Sequence, residues 1–163
     1  MRARVPHWLH EFDDRLIGFV QRNSIVWLRS ALALVFFWFG ALKLFDVSPV
    51  ADLVARTLPF LPPELAVRSM GALEVLIALG LLTGWAIRVT MLVFFAQMAG
   101  TFLVLVLEPG LSFQHGNPLL LTTMGEFVVK NLVLITGGLV VAGKITPARA
   151  RGHLADMLSE KLD

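Results

Sequence analysis

Long apolar runs alternate along this chain with short clusters of charge, and the runs recur four times. Before the first, residues 8–22 set Leu9, Phe12, Leu16, Phe19 and Val20 at helical spacing among His10, Glu11, Asp13, Asp14, Arg15, Gln21 and Arg22. That pattern predicts an amphipathic helix, either interfacial or packed on a bundle. The first span is expected at residues 25–45, with an uncharged centre that includes Phe36, Phe37, Trp38 and Phe39; it has the ~20 residues that crossing a bilayer requires. Asp46, Ser48 and Pro49 end it, and the segment to Pro63 reads as a polar, proline-bearing loop long enough to fold over the bundle. A second span follows at 66–83 with one charge at its middle, Glu74. Gly84 and Trp85 make a tight turn into a third span at 89–107, whose most polar central residue is Gln97. A loop rich in turn residues, Pro109, Gly110, His115, Gly116 and Asn117, leads to the fourth span at 121–142, which carries Glu126 and Lys130. Beyond Lys144 and Pro147, Leu154, Leu158 and Leu162 recur every four residues, as in a helix lying on the membrane surface.

The pattern therefore predicts an all-α integral membrane four-helix bundle with an amphipathic N-terminal helix. Residues 1–24 form a cytoplasmic or interfacial segment, 25–145 the bundle, and 146–163 a cytoplasmic tail. Composition agrees: 56% of the 163 residues are hydrophobic, 16% are charged, and the mean hydropathy is +0.75. A soluble domain carries about 25% charged residues, so the natural solvent of this chain is lipid. The net charge of +2 does not point to nucleic acid, because the basic residues divide between the two chain ends instead of forming one patch. Cysteine is absent, which excludes disulfides and thiolate metal or redox sites on the chain itself. Glu11, Asp13 and Asp14 interrupt the N-terminal region before any apolar run, so no cleaved secretory leader is expected.

Lys and Arg set the expected orientation. Arg2, Arg4, Arg15, Arg22, Arg29, Arg88, Lys144, Arg149, Arg151 and Lys161 fall on one side, and Arg56 and Arg68 on the other. The richer side is read as cytoplasmic, which puts both termini there and both long loops outside, in the inner (plasma) membrane.

An ionised side chain at membrane depth costs about 2.5–3.5 kcal/mol on insertion scales and so needs a partner, a wet cavity or a route to the interface. Lys43, Glu74, Glu126 and Lys130 are the candidates. At ~1.5 Å per residue Glu74 lies about 12 Å below the start of its span, and Glu126 and Lys130 stand in the favourable i, i+4 order. The four can form a cluster in the outer half of the bundle, with Trp38 lining it and Gln97 bonding across the helices. Such a pocket would bind a quinone head group, another small ligand or a proton. Equally open is an ion-pair network that only locks the helices; a small-solute or proton pathway is disfavoured, because four spans supply little room for a protein-lined route unless the chain oligomerises. Lys43 and Glu126 have the further option of snorkelling to the interface. His115 is isolated in a loop, and no His spacing makes a metal site. Gly80 with Gly84, and Ala96 with Gly100, are small-residue pairs that let helices approach. No phosphate-binding loop, nucleophile elbow or zinc-protease motif is present.

Three stretches, Phe39-Gly40-Ala41-Leu42-Lys43-Leu44-Phe45, Gly71-Ala72-Leu73-Glu74 leading to Leu81-Leu82-Thr83-Gly84, and Glu126-Phe127-Val128-Val129-Lys130-Asn131-Leu132, resemble the DoxX-like membrane proteins over roughly residues 25–145. The nearest branch in appearance contains inner-membrane proteins of the reactive-chlorine resistance response. The resemblance implies a four-helix bundle and a role as an oxidoreductase subunit, by analogy with the membrane component of thiosulfate:quinone oxidoreductase. It also implies a redox partner protein or a homo-oligomer, and action in oxidative or sulfur stress. It carries over to Lys43, Glu74 and Lys130; Asn131 stands where several relatives would place an aspartate.

Overall fold

The computed structural model describes residues 7–57 and 60–145. Among the described residues six α-helices follow one another: α1 (His7–Leu44), α2 (Ala51–Thr57), α3 (Pro63–Thr83), α4 (Ile87–Leu107), α5 (Pro109–Ser112) and α6 (Thr123–Gly143). No strand forms among the described residues; Phe113 and Leu121 make one isolated bridge. Phe12–Leu44 of α1, with α3, α4 and α6, are long and apolar enough to cross a membrane. The protein is thus all-α, with four long apolar helices that fit a four-helix membrane bundle. Its tail after residue 145, expected at the membrane surface, lies outside the described residues.

The expected spans at 66–83, 89–107 and 121–142 each appear within two or three residues of their helices. α3 begins at Pro63, where the missing N–H removes only a bond the first turn would not make. α6 begins at Thr123, after Thr122, whose hydroxyl accepts the Gly125 N–H at 3.1 Å and caps the helix.

At the N-terminus the structure joins what the pattern divided: α1 runs unbroken for 38 residues. Residues 21–28, on either side of the expected division at 24 and 25, include neither Gly nor Pro. Asn23 and Ser24 turn their side chains back on the helix, to the carbonyls of Phe19 and Gln21. At ~1.5 Å per residue α1 is about 57 Å long, close to twice the ~30 Å hydrocarbon thickness.

The chain divides into two compact units, Met1–Gly84 and Trp85–Asp163. In the first, α1 and α3 pack together and α2 packs on α3. The buried residues of α1, Leu32, Ala33, Phe36, Gly40 and Lys43, recur every three or four positions, and so do Ala66, Val67, Gly71, Glu74, Ile77, Ala78 and Leu81 of α3. Leu34, Phe37, Trp38, Leu76, Leu79 and Leu82 lie on exposed faces of the same helices. Exposed faces as apolar as the core belong to helices solvated by lipid. Within the expected loop between these spans, Val50, just before α2, and Leu53 of α2 are buried.

In the second unit α4 packs on α6, where the Phe94 ring occupies the space above Gly138; a Cβ there would sit 2.5 Å from Phe94 Cε1. The connection is stitched by Thr122 N–H to Ser112 O (3.0 Å) and Gln114 N–H to Leu120 O (2.7 Å). His115 is an exposed residue of its short 3₁₀ turn, with φ of 52°.

Candidate functional site

Lys43 Nζ donates to both carboxylate oxygens of Glu74, at 2.9 and 2.7 Å. The two side chains are only 5% and 11% exposed. Glu74 stands eleven residues from the start of α3 and nine from its end, about 16 and 14 Å along the axis. The pair therefore sits at the middle of a membrane-spanning helix, where a lone ion of either sign is costly.

Chain direction explains why Lys43 reaches it. Long side chains on a helix lean towards that helix's N-terminus. Lys43 is the next-to-last residue of α1, so its stem leans back into the helix body and away from the nearby end. Of the two options open to Lys43, pairing with Glu74 or snorkelling to the interface, the structure shows the pairing. The space for the stem comes from two glycines. A Cβ on Gly71 would lie 2.8 Å from Gly40 O and 2.8 Å from Lys43 Cβ; one on Gly40 would lie 2.7 Å from Gly71 O and 3.0 Å from Glu74 Cβ. Backbone meets backbone at this crossing, and the ion pair is set against it.

The same lean has the opposite result in α6. Lys130 is the eighth residue of that helix, and its ammonium leans towards the helix start to meet Glu126 at 3.2 Å, with side chains 74% and 54% exposed. The four predicted charges thus form two pairs, one buried in the first unit and one exposed in the second. Trp38 is 62% exposed on α1, away from the face that buries Lys43. Gln97 is buried on α4, on the face that carries Phe94 and Met98.

Two arginines brace the ends of the α1–α3 pair, and neither stood out in the sequence. α1 closes with Asp46 in the left-handed region (φ 59°), Val47 N–H bonding Leu42 O and Asp46 N–H bonding Lys43 O. This is the two-bond termination that glycine usually makes, here with an aspartate that tolerates the conformation. The carboxylate so placed accepts Arg68 Nη2 at 2.7 Å. That bond, ahead of the charge itself, holds the Asp46 carboxyl below its ordinary value. At the other end the Arg29 guanidinium lies 3.3 Å from where a Gly84 Cβ would be, beside the carbonyl-rich C-terminus of α3 that attracts a cation. Gly84, expected as half of a helix-approach pair, is instead the left-handed cap of α3, with φ of 71° and its N–H on Gly80 O. Ala96 and Gly100 are both exposed, and nothing lies within 4 Å of a Cβ on Gly100.

Among the described residues no cluster of His, Cys, Asp and Glu could hold a metal ion. Comparison with protein families matches the DoxX profile to residues 24–107, which is 84 of the 163 residues. Lys43 and Glu74 fall inside that stretch; Glu126 and Lys130 fall outside it. Neither the curated proteins nor the solved structures gave a match.

Proposed function

The chain belongs to the DoxX family of multi-pass membrane proteins, and on that premise we propose that it is a membrane subunit of a quinone-linked redox system, of the kind engaged in oxidative stress, with the Lys43–Glu74 pair as its working centre. One observation carries this reading: a Lys and a Glu bonded to each other at mid-span, inside the family-matched stretch. Ionisable groups at such depth are retained for work on protons, ions or ligands far more often than for packing.

The residues fit a quinone head group in a specific way. An ammonium has three N–H donors; Glu74 accepts two of the Lys43 bonds, and the third is the donor a ring carbonyl would take. Glu74 would hold the proton exchanged at that oxygen, and the apolar faces of α1 and α3 would keep water from it. When bound, a quinone supplies the two-electron, two-proton couple. With no Cys and no Tyr in the sequence, the electrons would come from a partner redox protein. The Arg and Lys distribution supports insertion in the inner membrane with both termini in the cytoplasm.

A second reading is favoured by the closeness of the Gly40–Gly71 crossing and the low exposure of the pair: a clasp that locks α1 to α3 and binds nothing. Extraction separates the two. Full-length protein purified from native membranes should release quinone, and Glu74→Gln should release none while keeping wild-type helicity. Quinone-free wild-type protein would overturn the quinone reading. The reciprocal exchange, Lys43→Glu with Glu74→Lys, should preserve a clasp and its function but destroy an oriented binding centre.

A further inference from the structure

α1 outruns its partner. Its Arg29 lies beside Gly84, the residue that caps the end of α3. The residues of α1 from Phe12 onward therefore continue past that end, for roughly 20 Å at the helical rise. Phe12, Leu16, Phe19, Val20, Val26 and Trp27 are all exposed along this extension. The helix has no break there, so these side chains continue the axis of α1 as an uncovered apolar stripe. A partner helix laid along that stripe would cover it.

The spacing identifies the cover. Phe12, Leu16, Phe19, Asn23 and Val26 stand at intervals of four, three, four and three residues, the a/d seam of a coiled coil. At 100° per residue they share an arc of about 80°. That arc lies off the face of α1 used against α3, which Leu32, Phe36, Gly40 and Lys43 occupy. We propose that this seam is a homodimer interface, in which α1 of one copy pairs in parallel with α1 of a second copy.

Three features select a second copy. Copies inserted in one orientation present their extensions on the same side and in parallel, which is the arrangement a two-fold axis along the membrane normal produces. Arg15, Arg22 and Arg29 occupy successive g positions of this register and Asp13, Val20 and Trp27 the e positions. In parallel pairing Arg15 faces Val20 of the second copy and Arg22 faces its Trp27, a cation–π contact; antiparallel pairing would set arginine against arginine. Lastly, Asn23 falls at a single a position, where one buried amide specifies register and two-strandedness at some cost in stability. Its Nδ2 bonds the Phe19 carbonyl at 2.8 Å, and the amide has a second N–H and an oxygen to exchange with its counterpart.

The chain has no cysteine, so single introduced thiols report the interface without background. In native membranes expressing the full chain and treated with a thiol oxidant, Phe19→Cys and Asn23→Cys should form a disulfide-linked species of doubled mass, and Gln21→Cys and Ser24→Cys, on the far side of the helix, should remain monomeric. Phe12→Asp combined with Phe19→Asp should abolish cross-linking through Asn23→Cys while leaving helicity unchanged. Equal cross-linking from all four positions would signify random collision and overturn the proposal, as would seam thiols that link to a different protein or to nothing.

Discussion

Removing the Lys43 ammonium alone should be among the most damaging single changes this protein can suffer, while removing both charges should not. In Lys43→Met the stem volume is nearly retained, but Glu74 loses the donor to both of its oxygens in a site where its side chain is only 11% exposed. Breaking a buried pair from one side typically costs about 3–5 kcal/mol, because the stranded charge keeps its full desolvation penalty. That cost corresponds to about two to three and a half decades in the folded-to-unfolded ratio. Replacing both members by apolar residues of similar volume is on average neutral, or stabilising by about 1–4 kcal/mol. The double variant Lys43→Met with Glu74→Met should therefore recover most of the loss, giving a coupling energy of at least about 2 kcal/mol in a double-mutant cycle. The assay is unfolding of the purified protein from mixed micelles on titration with a denaturing detergent, followed by far-ultraviolet circular dichroism. A single variant within 1 kcal/mol of wild type, or a double variant less stable than either single one, would show that the pair is hydrated and that the physical argument for its depth is wrong.

Gly71→Ala should lower the unfolding free energy by about 1–3 kcal/mol, the usual cost of overpacking, since its Cβ meets the Gly40 carbonyl at 2.8 Å and backbone cannot swing aside; Gly100→Ala, with nothing within 4 Å, should be neutral or slightly stabilising, and equal effects at the two sites would refute the crossing. Asp46→Asn keeps a residue suited to the left-handed turn but removes the Arg68 ion pair. Because the Asp46 carboxyl is held below its ordinary value of 3.8, its stabilising effect is complete above that pH and fades as pH falls through the lowered value. Acid titrations of wild type and Asp46→Asn should therefore differ by a constant amount from neutrality down to about pH 5 and converge only below 3.8; convergence near neutrality would sink this assignment.

Much of the site was visible one residue at a time. Glu74 announced itself as a lone carboxylate in an apolar run, and hydropathy alone placed it at mid-span. Its partner was not visible in that way, because Lys43 and Lys130 look alike in sequence: each is a lysine within a turn or two of a span end. What separates them is the direction of the helix, which sends one ammonium inward over Gly71 and the other outward to Glu126. Gly40 and Gly71 lay within the family-like stretches, yet small residues flank many positions in such helices; the GxxxG spacing drew attention to Gly80 and Gly84 instead, and Gly84 turned out to be a cap. The division expected between the amphipathic segment to residue 24 and the span from residue 25 is one that α1 does not have, since a shift from mixed to apolar composition marks a change of surroundings whereas only Gly, Pro or a cap ends a helix.

Membrane residence, helical class, the number of long apolar helices and the position of each charge along its helix all followed from the order of residues. Each is a local property of a segment and its solvent: twenty apolar residues must form a helix in lipid because no water is there to satisfy their backbone. Which charges meet, which glycines touch and which apolar stripe is left uncovered were decided by tertiary structure alone. Those outcomes depend on which helix faces are brought together and on the direction each side chain leans, and neither is written in the composition of any one segment.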